Sequence, residues 1–444
     1  MGDHDHKRFK QQERMVVEKS PQWASEVNEE LKNLVDLRTE IQHWSKRSIY
    51  QIPACFADLN KKAFKPQFVS FGPYHHGERQ LMPMEEHKHR ALLHFLNRCG
   101  KPIELFLTSL EQEAQNLKES YEPLGPEWRD NTDRFLKLMI LDGCFMLEVL
   151  RTCYTRISED YAPNDPIFST HGKLYIMPYF KRDMLMLENQ LPLLLLEKLL
   201  DIEGNATHKE EEFVNKLILL YFETTDNVPE LGKCLHVLDV YRKSLLLDPV
   251  GNSSPSNGNI LVGGDGIIRS AIELNEAGIR FKRSHTTSLK DISFSGGILR
   301  LPVILVDDTT ESMFLNLMAF ERFHVGAGND VTSYVFFMDH IIDSERDVAL
   351  LHSRRIIHNS LGSDKAVAKL FNSMSKDITL DPESSLDMVY KKVNSYCRKP
   401  WNEWRANLIH TYFRNPWSIL SLVAAVFLFA LTIVQTIYTI RPAQ

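Results

Sequence analysis

The sequence has few cysteines, and no two of them have the spacing of a metal or redox motif. The six are Cys55, Cys99, Cys144, Cys153, Cys234 and Cys397. A chain of 444 residues is long enough to bury a stable core without disulfides. We therefore expect reduced, mostly buried thiols, and neither a disulfide framework nor a cysteine-held metal.

Catalytic signatures are also absent. There is no Gly-x-Ser-x-Gly elbow, and no cysteine lies in a signature that would make it a nucleophile. Gly263-Gly-Asp-Gly has neither the phosphate-loop spacing nor the strand and helix that a dinucleotide motif requires. The sequence predicts no cofactor and no catalytic residue.

Excess positive charge is missing as well. Lys and Arg number 52 against 58 Asp and Glu, which gives a formal net charge of −6. This balance argues against nucleic acid as a partner. The hydrophobic fraction of 43% is typical of a protein with a large core.

Charge is absent altogether from Asn415 to Ile440. A helix over this stretch would be about 39 Å long at about 1.5 Å per residue, more than the roughly 30 Å of a bilayer core. The stretch predicts a single transmembrane helix, with the lipid bilayer as a partner. Because basic residues dominate just before it and no signal peptide is visible, we expect a cytosolic body at the plasma membrane or an endomembrane.

Composition shifts divide the chain into segments. We predict a polar tail (1–22), an amphipathic helix (23–44), a body (45–383) with a flexible loop (251–266), a basic and aromatic juxtamembrane segment (384–414), the transmembrane helix (415–440) and a short tail (441–444).

Apolar periodicity favours a mainly α fold. Residues 134–151 are apolar nearly all round, as are residues 184–200 apart from Glu188-Asn-Gln, so both should form core helices. Residues 279–282 and 298–306 are typical of strands. The predicted class is α+β: a large helical body with a small antiparallel sheet and a single C-terminal transmembrane helix.

Several motifs occur in a characteristic order from Ser48 onward. They include VSFGPYHHG (69–77), LDGCFMLEVL (141–150), RDMLMLENQLPLLLLEKL (182–199) and LRLPVILVDDTTESMFLNLMAFE (299–321). The chain resembles the plant family called domain of unknown function 247. The resemblance implies a mostly helical body with a C-terminal transmembrane helix and no established enzymatic activity. Some members of the family lie at grass loci that control recognition of self pollen.

A cluster of histidines and glutamates lies between residues 75 and 94. His75, His76, Glu86 and His89 are candidate metal ligands, and Glu86 and His89 have the i, i+3 spacing that puts two ligands on one helix face. The alternative is a turn whose imidazoles bond backbone carbonyls. The second interpretation is favoured because no second ligand pair and no His-Glu-x-x-His motif is present.

Asp142 lies inside an apolar helix, where a carboxylate is costly unless it is paired. Arg182 is the predicted partner. Such a pair would join the two core helices.

Asp307 and Asp308 follow a strand and precede a helix. Two adjacent carboxylates there could act as acid and base or hold a cation. A cap is the simpler interpretation, because Asp308 and Glu311 have the spacing of a capping box.

Two functions follow from these patterns. The first is a protein that recognises another protein, whose identity the sequence does not give; recognition of self pollen is one such role. The alternative is an enzyme that acts on a membrane-associated substrate through the His/Glu cluster or the Asp pair. A pocket that unites those two groups would favour the enzyme.

Overall fold

The structure is a computed structural model that describes residues 21–32, 37–57, 60–152, 160–204, 212–222, 229–248, 269–375, 386–408 and 416–440. The predicted loop 251–266 and most of the predicted N-terminal tail lie outside these residues, as does 441–444. Two units are distinguished, Met1–Arg47 and Ser48–Gln444.

The first unit contains helices α1 (Gln22–Lys32) and α2 (Leu37–Lys46). Trp23, Val27 and Leu31 recur every four residues along α1, and all three are exposed. The helix is therefore amphipathic in sequence, and its apolar side is exposed.

The second unit is mainly helical. Its first helices are α3 (Ala54–Ala57), α4 (Pro83–Cys99), α5 (Ile103–Glu111), α6 (Ala114–Glu119), α7 (Pro126–Arg129), α8 (Thr132–Arg151), α9 (Thr170–Tyr175), α10 (Met177–Met184), α11 (Leu193–Glu203), α12 (Phe213–Phe222) and α13 (Val237–Leu245). The later ones are α14 (Ala271–Glu276), α15 (Thr310–Phe323), α16 (Asp330–Ile341), α17 (Glu345–Ser353), α18 (Asp364–Met374), α19 (Asp387–Cys397), α20 (Pro400–Leu408) and α21 (Pro416–Ile440).

Helix α8 forms the centre of the core. It begins after Asn131, whose side chain accepts a hydrogen bond from the backbone N–H of Arg134. From Phe135 onward nearly every residue is buried, because α4, α5, α11 and α12 pack around it. Gly143 permits close approach of α11: a Cβ at this position would lie 2.5 Å from Leu199 Cδ1.

Seven short strands form three small sheets. The strands are β1 (Ile49–Tyr50), β2 (Tyr121–Glu122), β3 (Arg280–Arg283), β4 (Ser293–Ser295), β5 (Ile298–Leu301), β6 (Ile304–Val306) and β7 (Ile357–Asn359). Only β4 and β5 pair in the antiparallel sense among these described strands. The pairs β1–β2, β3–β5 and β6–β7 are parallel, so the expected antiparallel sheet accounts for one pair of the four. Helical segments separate the strands of β1–β2 and of β6–β7, whereas β4 lies between β3 and β5 in the chain.

The C-terminal apolar stretch forms α21 (Pro416–Ile440). Across the part of the chain that the structure describes, however, no helix has the length and apolar character needed to span a bilayer. This finding contradicts the predicted transmembrane helix, the lipid bilayer as a partner through it, and the single-pass membrane localisation. The prediction rested on the absence of charge and gave little weight to hydroxyl groups such as those of Thr432, Thr436 and Thr439, which bond backbone carbonyls one turn back.

Candidate functional site

The segment Gln67–Gly72 is held by side chains rather than by a neighbouring strand. The Asp183 carboxylate accepts hydrogen bonds from the backbone N–H groups of Gln67, Phe68 and Val69, the shortest at 2.7 Å. The Asn189 side chain accepts from Phe71 N at 2.7 Å. At Val69 and Phe71 these bonds satisfy backbone donors that are buried away from water.

A fully buried ion pair closes the end of this segment. Lys88 Nζ lies 2.7 Å from Asp142 Oδ1, and both side chains are 0% exposed. The other oxygen of Asp142 accepts from Gly72 N at 2.8 Å. Burial raises the pKa of the Asp142 carboxyl, and the Lys88 ammonium opposes that shift. The pair therefore joins α4 to α8 and fixes Gly72.

Arg182, the partner predicted for Asp142, lies elsewhere. Its guanidinium donates to the carbonyl of Lys62 at 2.7 Å and lies 3.5 Å from Asp183. The motifs 141–150 and 182–199 are nevertheless linked, because both bond the segment Gln67–Gly72. Asp142 accepts from Gly72 N, whereas Asp183 and Asn189 accept from Phe68 N and Phe71 N. The sequence did not single out Lys88, because this residue lies among histidines and glutamates that are typical of a solvent-exposed helix surface.

A cavity of about 700 Å³ opens beside the end of this segment. It is lined by Gln51, Ile52, Pro53, Ala54, Ala57, Lys61, Phe64, Lys65, Tyr74, His75, Glu78, Pro123 and Glu188. Apolar side chains form most of the wall, and the charged groups are two lysines, two glutamates and one histidine. We call it the Phe64 pocket.

His75 lies in the wall of the Phe64 pocket between two carboxylates. Nδ1 is 2.7 Å from Glu78 Oε1. Nε2 is 3.0 Å from Glu188 Oε2, as an ion pair without a well-directed hydrogen bond. Burial lowers the pKa of His75, but the contacts with Glu188 and Glu78 together outweigh it and raise the pKa above 6.5. The imidazole is thus stabilised in its charged form.

Each of the two carboxylates is also engaged elsewhere. Glu188 Oε1 accepts from Ile52 N at 2.6 Å, and Glu78 Oε2 accepts from the Gln80 amide. Together with His75 they link the start of the body to the turn at 69–77 and to the polar break at 188–190. We call these three side chains the His75 clamp.

The other members of the histidine and glutamate cluster do not converge on His75. His76 packs edge-on against Trp128, with ring centroids 5.4 Å apart. Glu86 and His89 are exposed on α4. In the described ranges, no group of three or more His, Cys, Asp or Glu side chains is arranged to hold a metal ion.

Asp307 and Asp308 lie away from the pocket lining, at the start of α15. Asp307 Oδ1 accepts from Thr309 N at 2.9 Å and from the Thr310 hydroxyl at 3.0 Å. Asp308 makes no cap, and Glu311 contacts the Ser373 hydroxyl at 3.3 Å. The cap predicted for Asp308 and Glu311 is therefore not formed, because Asp307 takes the Thr309 N–H and the Thr310 hydroxyl in the turn just before the helix.

Comparison with known proteins identifies the family. The family described as a plant protein of unknown function, DUF247, matches residues 49–431. The UPF0481 protein At3g47200 of Arabidopsis thaliana is 32% identical over 419 residues, which cover 87% of this chain and 85% of that protein. The putative UPF0481 protein At3g02645 of the same plant is 23% identical over 87% of this chain and 89% of its own length. No solved structure matches. The chain belongs to the DUF247 family of plant proteins.

Proposed function

We propose that this protein recognises another protein through the Phe64 pocket and does not transform a substrate there. The observation that carries the proposal is the environment of His75: both ring nitrogens face carboxylates, which stabilise the charged form of the imidazole. A charged imidazole has no lone pair with which to accept a proton, and it therefore cannot act as a general base.

The lining of the pocket supports the same conclusion. None of its residues is Ser, Thr or Cys, so a hydroxyl or thiol nucleophile is missing from the wall. The Tyr74 hydroxyl donates to the carbonyl of Ile49 at 3.1 Å. Asp307 and Asp308, the other candidate centre, do not line this pocket.

The size and character of the cavity suit binding. A volume of about 700 Å³ lies within the roughly 300–1,000 Å³ that ligand sites occupy. Mostly apolar walls with a few fixed polar groups give affinity and orientation together. Recognition of self pollen, which the family resemblance implies for some members, is one process that such a protein would serve.

Site-specific photo-crosslinking in plant cells tests this proposal. A photoreactive residue at Ala54, in the pocket wall, is expected to crosslink one protein partner reproducibly. The same residue at Arg346, exposed on α17, provides the control and is expected not to capture that partner. A small molecule that the purified protein consumes, and that a His75→Gln variant does not, would contradict the proposal, as would identical capture from both positions.

A further inference from the structure

Three lysines lie together at one side of the Phe64 pocket. Lys61, Lys62 and Lys65 are all exposed, and Lys61 and Lys65 line the cavity. We call residues 61–65 the basic turn. The chain as a whole has a formal net charge of −6, so the basic turn is a group of positive charges on a protein of negative net charge.

The backbone of the basic turn is fixed from two sides. The Ser312 hydroxyl and the Asn316 amide both donate to the carbonyl of Ala63, at 2.6 and 2.8 Å. Arg182 donates to the carbonyl of Lys62 at 2.7 Å. Within the turn, Ala63 and Phe64 are buried. The lysines therefore project from a rigid support, which lowers the entropy lost when a ligand binds.

The acidic residues of the pocket point toward neighbouring groups of the wall. All four carboxylate oxygens of Glu78 and Glu188 are directed to His75, to Ile52 N or to the Gln80 amide. Lys65, by contrast, is exposed and lines the opening of the cavity. An exposed lysine ammonium at the mouth of the cavity favours an anionic ligand.

Exposed aromatic and aliphatic side chains continue the surface beyond the basic turn. Tyr179, on α10, is 51% exposed and stacks on Phe68 with ring centroids 5.4 Å apart. Leu174 and Tyr175, on α9, are 65% and 57% exposed. Arg182 lies on α10 with Tyr179 and joins this surface to the basic turn through the carbonyl of Lys62.

We propose that the Phe64 pocket receives an apolar side chain of an acidic peptide segment in the partner protein. This inference rests on the proposed function and adds the chemistry of the partner. Asp and Glu residues that flank the apolar anchor lie against Lys62 and Lys65, and the aromatic surface covers the rest of the segment. A concave cavity next to a short row of lysines suits an anchored peptide better than a planar lipid surface, which cannot enter it.

Fluorescence anisotropy with the purified full chain tests this inference. The probe is a fluorescein-labelled peptide with one leucine flanked on each side by glutamates. Two matched peptides replace the glutamates by glutamine or the leucine by glycine. We expect the first peptide to bind, both replacements to weaken binding, and added salt to weaken it further, because the contact is partly ionic.

Two charge-reversal variants locate the site. Lys65→Glu should weaken the acidic peptide about tenfold, a loss of about 1.4 kcal/mol. Lys369→Glu makes the same change of net charge on the exposed side of α18 and should leave the dissociation constant unchanged. Equal losses in the two variants, or equal binding of the glutamine peptide, would overturn the inference.

Other occupants give different results. Vesicles of phosphatidylcholine and phosphatidylserine that bind the wild type but not Lys65→Glu, with no peptide bound, would assign the surface to lipid and overturn the inference. A dimer in sedimentation velocity that Lys65→Glu abolishes would assign it to a second copy of this chain. If no acidic peptide binds while the crosslink from Ala54 persists, the inference of an acidic partner segment is overturned and the proposed function stands. If neither the peptide nor the crosslink is observed, both the inference and the proposed function are overturned.

Discussion

Two ionic sites hold the segment 67–75, one at Gly72 and the other at His75, and they differ in their access to solvent. Lys88 and Asp142 are both 0% exposed and form a pair within the core between α4 and α8, which we call the dry pair. The His75 clamp lies in the wall of an open cavity, where the Glu78 side chain is 30% exposed. The contacts are similar in length, 2.7 Å for the dry pair and 2.7 and 3.0 Å for the clamp.

The difference teaches that access of one member to solvent, and not the kind of charge, distinguishes the clamp beside the cavity from the pair in the core. A pair sealed from water can only stabilise the arrangement it joins, because a charge left alone there is very unfavourable. A clamp at a cavity can respond to pH and to an incoming ligand. The following predictions test this distinction.

Removal of one member of the dry pair should have the largest effect. Asp142→Ala leaves the Lys88 ammonium buried and should lower the free energy of unfolding by about 3–5 kcal/mol, toward the smaller value because Glu85 also contacts Lys88. The double variant Lys88→Met/Asp142→Leu removes both charges and should cost less than Asp142→Ala alone. Urea unfolding followed by circular dichroism measures both. A double variant that costs as much as Asp142→Ala, or more, would refute the coupling.

Loss of the acceptor at Asp183 should come next. Asp183→Ala leaves three backbone N–H groups without their partner and should cost about 2–3 kcal/mol. Asp183→Asn keeps one acceptor oxygen and should cost less. Hydrogen exchange should accelerate at Gln67, Phe68 and Val69 in the alanine variant. Unchanged exchange at these amides would mean that Asp183 does not hold the segment.

The His75 clamp should give a smaller effect that depends on pH. The folded-state pKa of His75 is raised above 6.5, so the clamp stabilises the fold fully below pH 6.5 and loses that contribution as pH rises through the raised pKa. The melting temperature of the wild type should therefore exceed that of His75→Gln most in acid and least in alkali. A difference that grows with pH would have the wrong sign for this account.

Reversal of the charge of Lys65, at the opening of the Phe64 pocket, should have the smallest effect on stability. Lys65 is exposed, so Lys65→Glu should change the free energy of unfolding by less than about 0.5 kcal/mol. Lys369→Glu is the matched control. A substantial loss of unfolding free energy in Lys65→Glu alone would show that the lysine stabilises the basic turn. The contrast between the basic turn and the dry pair would then be lost.

The sequence predicts local features well. Residues 134–151 form most of α8 (Thr132–Arg151), because a run that is apolar nearly all round has few alternatives to burial. The need for a partner at Asp142 was also visible, since a carboxylate is unfavourable in such a helix. Ordered motifs were sufficient to identify the family.

Contacts between distant segments were not predictable in the same way. Lys88 is separated from Asp142 by 54 residues, and nothing in its neighbours distinguishes a buried lysine from an exposed one. The Phe64 pocket draws its wall from residues 51–78, from Pro123 and from Glu188, so it exists only after folding. Gly72 illustrates the same limit: its φ is +74°, and a Cβ there would lie 3.0 Å from the carbonyl oxygen of Gln190.

Methyl NMR of the full chain tests the central claim, that the Phe64 pocket is a recognition site, most directly. Ile52, Ala54 and Ala57 report from the pocket wall, and Ala91 and Ile279 report from the buried core. Titration with the glutamate-flanked leucine peptide should shift the three wall methyls and leave the two core methyls unchanged, and Lys65→Glu should require more peptide for the same shift. Unmoved wall methyls, or shifts of equal size in both sets, would contradict the account.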